Sequence, residues 1–153
     1  MSDINDDIVE TLNDLIATCK DGELGFTACA ERVESPDLRQ LFTQRAAACR
    51  QAAEELRPFV IQYGGEPETE GSTSGALHRG WVAVRGSLAG YSDQAMLDEC
   101  ERGEDAALAR YRAALREDTL PEQLRAVVSR QQLGVQANHD HVKRLRDALK
   151  AGT

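Results

Sequence analysis

Apolar residues recur along this chain at steps of three and four positions, the spacing that places them on one face of an α-helix. Four such stripes are separated by capping residues, prolines and glycines, and no segment shows the alternation of a β-strand. The pattern predicts an all-α protein of one domain over residues 1–153, with helices at about 6–33, 36–63, 93–117 and 121–150.

The lengths of the connections indicate how these helices are arranged. About three residues separate the first helix from the second and the third from the fourth, and links this short require antiparallel hairpins. The crossover between the hairpins, residues 64–92, is much longer and begins with a polar, glycine-containing stretch. Two hairpins joined by one long crossover indicate a ferritin-like four-helix bundle. A short surface helix within the crossover is predicted by apolar residues at helical spacing: Leu77, Trp81, Val84 and Leu88.

A short internal repeat supports the two-hairpin arrangement. Residues 19–23 of the first helix (CKDGE) are similar to residues 100–104 of the third (CERGE). A weaker similarity relates residues 38–45 of the second helix to residues 124–131 of the fourth. Because these matches fall in the order that a duplicated hairpin would produce, we infer an internal duplication.

Composition and charge narrow the classes of function. The 153 residues include 26 acidic and 18 basic side chains, a net charge of −8, whereas a nucleic-acid-binding protein needs a basic face. No apolar run approaches the roughly 18 residues of a membrane-spanning helix. The acidic start of the chain also lacks the basic and apolar regions of a signal peptide. We therefore expect a cytoplasmic protein that binds neither nucleic acid nor membranes.

The four cysteines show no pattern that points to chemistry. They form no CxxC pair and have no metal-ligand spacing, and three of them fall on apolar stripes. We expect them to be small buried apolar residues rather than redox groups or disulfides. They are Cys19, Cys29, Cys49 and Cys100.

Two glutamates interrupt apolar stripes, Glu23 in the first helix and Glu104 in the third. Ferritin-like di-iron sites use one such glutamate on each of two helices and Glu-x-x-His on each of the other two. Opposite these positions the chain has Arg45 and Gln131, without that motif. We expect a buried polar cluster of Glu23, Arg45, Glu104 and Gln131, with the carboxylates hydrogen-bonded by the other two side chains and no cofactor. The alternative is a carboxylate metal site at Glu23 and Glu104, with iron as the cofactor.

The remaining polar residues do not assemble a recognisable site. His139 and His141 lie two positions apart, so they point about 200° apart on a helix and cannot bind one ion together. His78 has no ligand near it in sequence, and neither a nucleophile motif nor a phosphate-binding loop is present. Enzymatic activity therefore has no support in the sequence. The mixed charges of the third helix are expected on its solvent-exposed face: Asp98, Glu99, Glu101, Arg102, Asp105, Arg110 and Arg112.

Three stretches carry a family resemblance: residues 15–33 with their Lys-Asp-Gly-Glu, residues 75–81 and residues 99–111. They resemble an uncharacterised, mostly proteobacterial family of ferritin-like four-helix-bundle proteins classed as a domain of unknown function. The resemblance implies a ferritin-like fold and brings no established activity. Some members of the wider superfamily bind iron or take part in stress responses, but this chain lacks their ligands in its second and fourth helices.

The function expected from the sequence is that of a non-enzymatic interaction or structural protein, connected with stress. It would act through self-association into a homo-oligomer, or through another protein, using exposed apolar parts of the crossover or of the helix faces. Two alternatives remain open at this point. One is a metal-binding protein that handles iron or peroxide at Glu23 and Glu104, and the other is a carrier of a small ligand in the gap between the hairpins.

Overall fold

The computed structural model describes residues 3–72, 75–76, 78–79 and 92–152, and four long helices make up most of this part. No strand occurs in these ranges, so the all-α prediction is confirmed. Every predicted helix end lies within three residues of the observed one. The helices are α1 (Ile4–Ala30), α2 (Pro36–Gln62), α3 (Ser92–Leu115) and α4 (Glu122–Ala151).

Local chemistry accounts for where the first two helices begin and end. The Asp3 side chain accepts a hydrogen bond from the Asp6 amide at 2.8 Å and caps the start of α1. Ser35 caps α2 in the same way, and a proline occupies its first helical position, as the sequence predicted. Gly64 follows α2 with φ at +87°, a left-handed conformation that favours glycine and ends the helix.

The helices pack as the two antiparallel hairpins predicted from the connection lengths. α1 lies along α2, α3 lies along α4, and α1 also packs against α3, whereas α2 and α4 approach each other less closely. The turn between α1 and α2 is attached to the first turn of α3. There the Asp93 carboxylate accepts hydrogen bonds from the amides of Glu34 at 2.6 Å and Ser35 at 3.2 Å.

The core is divided into two apolar clusters, one toward each end of the bundle. The first contains the beginning of α1, the second half of α2, the end of α3 and the beginning of α4, and the second contains the opposite halves. The middle of the bundle therefore separates them. Large buried members of the first cluster are Leu12, Leu15, Leu56, Tyr111 and Leu124, and those of the second are Phe26, Phe42, Met96, Leu97 and Val142.

The described part of the crossover runs along α1. Asn13 donates to the Glu66 carbonyl at 3.0 Å and accepts from the Glu68 amide at 2.8 Å, and further along α1 Asp21 accepts from the Ser72 amide at 2.8 Å. Residues 75–76 and 78–79 are helical. The four apolar residues on which the crossover helix was predicted lie outside the described residues. No helix in the described ranges has the length and apolar character needed to span a membrane.

Candidate functional site

A cavity of about 850 Å³ occupies the middle of the bundle, between the two apolar clusters. Residues of all four helices line it, together with Gly75 and His78 of the crossover. Small side chains create the space, because they stand where larger apolar residues would fill a bundle core. These small residues are Gly22, Gly25, Ala48, Ala52, Gly103, Ala107 and Gly134. We call this space the central cavity.

The central cavity is open to solvent, because exposed residues of α2, α3 and α4 are part of its lining. They are Gln51, Glu54, Arg102, Ala106 and Gly134. Gln131 joins α4 to α2 beside the cavity, since its amide donates to the Ala52 carbonyl at 3.2 Å and to the Glu55 carboxylate at 2.7 Å. A small molecule could therefore enter the cavity without separation of the hairpins.

Glu104 is, beside Glu99, one of two buried acids among the described residues that line the central cavity, and only 4% of its surface is exposed. The Asn138 amide donates to both of its carboxyl oxygens, at 3.0 and 2.9 Å. Burial raises the pKa of Glu104 from 4.5 to about 7, although the Asn138 hydrogen bond and the positive charge of Arg45 act in the opposite direction. This carboxyl group is therefore close to half-protonated at neutral pH.

Arg45 brings a positive charge to the same cavity. Its Nε atom is buried and has no hydrogen-bond partner. An unsatisfied buried donor costs about 1–3 kcal/mol. The Arg45 side chain nevertheless lines the cavity and gives this part of the wall a positive charge.

A second polar group of the cavity wall is formed by Tyr111, Gln131 and Cys19. The Tyr111 hydroxyl donates to the Gln131 side-chain oxygen at 2.8 Å and lies 3.3 Å from the Cys19 sulfur. Burial raises the pKa of Tyr111 well above its usual range. The Tyr111 phenol and the Cys19 thiol are therefore both neutral at physiological pH, and they contact each other.

All four cysteines line the central cavity, and all four are free thiols. The expectation of small buried residues is confirmed for Cys19, Cys29 and Cys100, whereas Cys49 is half-buried. Burial raises the pKa of Cys19 to about 11 and that of Cys49 to about 12. Thiols with such pKa values stay protonated, which makes them poor nucleophiles and gives this wall an apolar character.

Glu99 is completely buried, which contradicts its predicted place on an exposed face of α3. Its carboxylate lies 3.0 Å from Nε2 of His78, because the crossover covers this part of the helix. A Cβ atom on Gly103 would come within 3.2 Å of the His78 ring, so the glycine makes room for that histidine. The pair has no signature in the sequence, because its two members lie on different elements.

The structure also corrects the predicted four-residue polar cluster. Arg45, Glu104 and Gln131 all line the central cavity, but Glu23 does not. Glu23 lies on a separate surface depression, is 21% exposed and forms an ion pair with Lys20 at 3.5 Å. At this level of α1 the residue that faces α2 is Gly22, the neighbour of Glu23 in sequence. A Cβ atom on Gly22 would lie 2.7 Å from the Cys49 sulfur.

The predicted hydrogen bonds differ as well. Glu104 is bonded by Asn138, and Gln131 is bonded to Tyr111 and Glu55. A signal for Asn138 was present, because it continues the apolar stripe of α4 at helical spacing from Val135 to Val142.

The donor set of the central cavity does not fit a di-iron centre. Glu104 is hydrogen-bonded by an amide and lies near the Arg45 guanidinium, whose charge repels a cation. Among the described residues it belongs to no group of three side chains whose donor atoms could hold a metal ion together. The proposed metal pair of Glu23 and Glu104 is also divided, since the two carboxylates line different cavities.

Comparison with solved structures shows that the protein has the ferritin-like four-helix-bundle fold. A point mutant of Dps1 from Mycobacterium smegmatis is similar with a TM-score of 0.74 and 16% identity, over 95% of this chain and 99% of that chain. The DPS protein of Vibrio cholerae O1, described as a member of a broad superfamily of ferritin-like diiron-carboxylate proteins, has a TM-score of 0.71 and 14% identity. That match covers 93% of this chain and 90% of the Vibrio chain. Identities this low establish the fold alone.

The family is established by the sequence itself. Residues 7–117 match the family described as Domain of unknown function (DUF2383), and the chain belongs to it. The resemblance found in the sequence is thereby confirmed, together with the ferritin-like fold that it implied. No curated protein matches this chain.

Proposed function

We propose that this protein is a non-enzymatic binding protein whose central cavity holds a small, largely apolar organic molecule that carries an anionic group. The observation that supports the proposal is the cavity of about 850 Å³, which has mostly apolar walls and is lined by the positively charged side chain of Arg45. Sites for small molecules have volumes of about 300–1,000 Å³, with mostly apolar walls and a few polar groups that orient the ligand.

The two kinds of wall suggest the chemistry of the ligand. Phe26, Val135, the alanines and the protonated thiols offer an apolar surface for the body of the molecule. The Arg45 guanidinium offers a charge-assisted hydrogen bond to a carboxylate or similar group. Glu104, with a pKa of about 7, can be protonated and so avoid repelling a bound anion.

The cavity groups favour binding over catalysis. Burial raises the pKa of the Cys19, Cys49 and Cys100 thiols and keeps them protonated. The phenol of Tyr111 and the amide of Gln131 are hydrogen-bonded to each other. None of them is activated by an adjacent base in the manner of a catalytic nucleophile. In this proposal the protein has no catalytic step and no iron in the cavity.

The probe for the proposal is dodecanoate, with dodecanol as its uncharged counterpart, measured by calorimetry below the micellar concentrations. We expect one dodecanoate per chain, and an Arg45→Gln variant should bind it about 10–100-fold more weakly, since a charge-assisted hydrogen bond contributes about 1.5–3 kcal/mol. Dodecanol should bind both proteins equally. Failure of the natural chain to bind either probe, or equal binding of dodecanoate by the variant, would contradict the proposal.

The shape of the cavity gives a second test at Gly25. A Cβ atom at this position meets nothing within 4 Å, so alanine and leucine can both be introduced without a backbone clash. Gly25→Leu should fill part of the cavity and abolish binding of the probe. The matched variant Gly25→Ala should retain it.

Self-association is the second candidate function, as an interaction or structural protein of the cytoplasm with a stress-related role. Ile4 at the start of α1 and Ile61 at the end of α2 lie at the same end of the first hairpin and are 61% and 62% exposed. Burial of these side chains between copies would remove apolar surface from water. Light scattering after size exclusion tests this idea, and a chain that stays monomeric at all concentrations would refute it.

A further inference from the structure

A cluster of metal-ligand side chains lies at the interface of α3 and α4, outside the central cavity. Glu101 and Asp105 lie one turn apart on α3, and His139 faces them from α4. The Nε2 atom of His139 is 2.7 Å from an Asp105 oxygen and 4.0 Å from a Glu101 oxygen. One donor atom from each residue lies within 4.8 Å of the others, and the described part of the chain has no second group of three.

The His139 ring is oriented as in a metal-binding histidine. Its Nδ1 atom lies 3.3 Å from the Asp140 carboxylate, the type of contact that fixes the ring of a ligating histidine. The Nε2 atom on the other side of the ring is buried and lies 2.7 Å from an Asp105 oxygen, a distance at which a proton is held between the nitrogen and the carboxylate. A metal ion would take the place of that proton and bind the Nε2 lone pair, while Nδ1 faces Asp140.

We propose that Glu101, Asp105 and His139 bind a divalent transition-metal ion of the Zn²⁺ class, with Asp140 orienting the histidine. One imidazole nitrogen and two carboxylate oxygens form a ligand set that suits Zn²⁺, Co²⁺ or Mn²⁺, with water in the remaining positions. The net charge of the chain, −8, also favours cations.

Arg146 limits the affinity of this site but leaves a ligand atom available. Its guanidinium contacts Oε2 of Glu101, whereas the atom that approaches His139 is Oε1. The positive charge should weaken the binding of a cation without blocking it. The arginine therefore predicts a site of moderate rather than very high affinity.

The metal site lies outside the central cavity. Glu101, Asp105 and His139 are not among the residues that line the cavity, and the adjacent residues Glu104 and Asn138 bond to each other inside the bundle. Loss of metal binding would therefore leave the ligand-binding proposal intact, and the reverse also holds.

Zinc binding can be measured by competition with a chromophoric chelator, using the full chain with its thiols reduced. We expect one Zn²⁺ per chain, bound at least about tenfold more weakly by Asp105→Asn and about 100-fold more weakly by His139→Ala. Asp105 is 62% exposed, so its variant should fold normally even if the histidine variant does not. His141→Ala, which removes an exposed histidine two positions away on α4, is the matched control and should bind as the natural chain does.

Cobalt distinguishes this site from the four cysteines. Co²⁺ bound by nitrogen and oxygen should show weak visible bands without the strong near-ultraviolet absorption of a thiolate ligand. Asp140→Asn should weaken binding about tenfold, because Asp140 acts by orienting the ring of His139. Absence of stoichiometric Zn²⁺ binding, thiolate absorption, or unchanged affinity in Asp105→Asn would each overturn the proposal.

Discussion

The Asn138 amide donates to both carboxyl oxygens of Glu104, at 3.0 and 2.9 Å, and this pair joins α3 to α4 at the centre of the bundle. An amide can satisfy a carboxyl group without neutralising it. The charges that favour its ionised form are those of the Arg45 guanidinium and, to a smaller extent, of His139. The result is an acid that is held by hydrogen bonds and is nevertheless difficult to ionise.

The first prediction concerns the dependence of stability on pH. The pKa of Glu104 in the folded protein, about 7, is above its usual value of 4.5, so the folded state binds this proton more tightly than the unfolded chain does. The resulting stabilisation is complete below about pH 4.5 and is lost as the pH rises through 7. Glu104→Gln should therefore be more stable than the natural chain by about 2–3 kcal/mol at pH 8.

The free energy of unfolding of the natural chain and of Glu104→Gln can be measured with denaturant. The difference between the two values isolates the titration of Glu104 from that of all other groups. It should be close to zero near pH 4.5 and should grow up to about pH 7. A difference that does not vary with pH would show that Glu104 titrates normally.

A second prediction compares two glycines of α1. A Cβ atom on Gly22 would lie 2.7 Å from the Cys49 sulfur, whereas one on Gly25 meets nothing within 4 Å. Gly25→Ala should stabilise the protein by about 0.8–1 kcal/mol through helix propensity. Gly22→Ala should lose most of this gain, because the thiol must rotate out of its present position. Thermal unfolding of both variants, and of Gly22→Ala in a Cys49→Ala background where the gain should return, measures the effect.

A third prediction concerns the contact between the first hairpin and α3. Asp93→Ala removes the acceptor of the Glu34 and Ser35 amides and should lower the free energy of unfolding by about 1–3 kcal/mol. Asp37→Ala is the control, because Asp37 is an exposed first-turn acid of α2 and contributes only about 0.3–1 kcal/mol through the helix dipole. Equal losses in the two variants would mean that the cross-hairpin bonds contribute nothing.

The fourth prediction tests the role of Arg146 beside the proposed metal site. Arg146→Gln removes a positive charge from the Glu101 carboxylate, so Zn²⁺ should bind about three- to tenfold more tightly. The same competition assay used for the ligand variants measures the change. Affinity that is unchanged or reduced would argue that Glu101 is not a ligand.

Fold and site differ in how far the sequence predicts them. The helix ends were predicted to within three residues, because apolar spacing, the Ser35 cap and the glycines after Tyr63 act locally. The polar cluster was predicted less well. Successive side chains of a helix point about 100° apart. A difference of one residue therefore separates Glu23, which was expected inside the bundle, from Gly22, which faces α2.

The sequence by itself determined the number, the lengths and the pairing of the helices, since capping and short connections are local and leave few topologies. Only the tertiary structure decided which polar groups meet. The partner of Glu104 is 34 residues away on another helix, and that of Glu99 is 21 residues away in the crossover. Likewise, His139 acquires its two carboxylate neighbours only when α4 lies beside α3. Such contacts depend on the rotation and depth at which helices pack, and the spacing of apolar residues leaves both open.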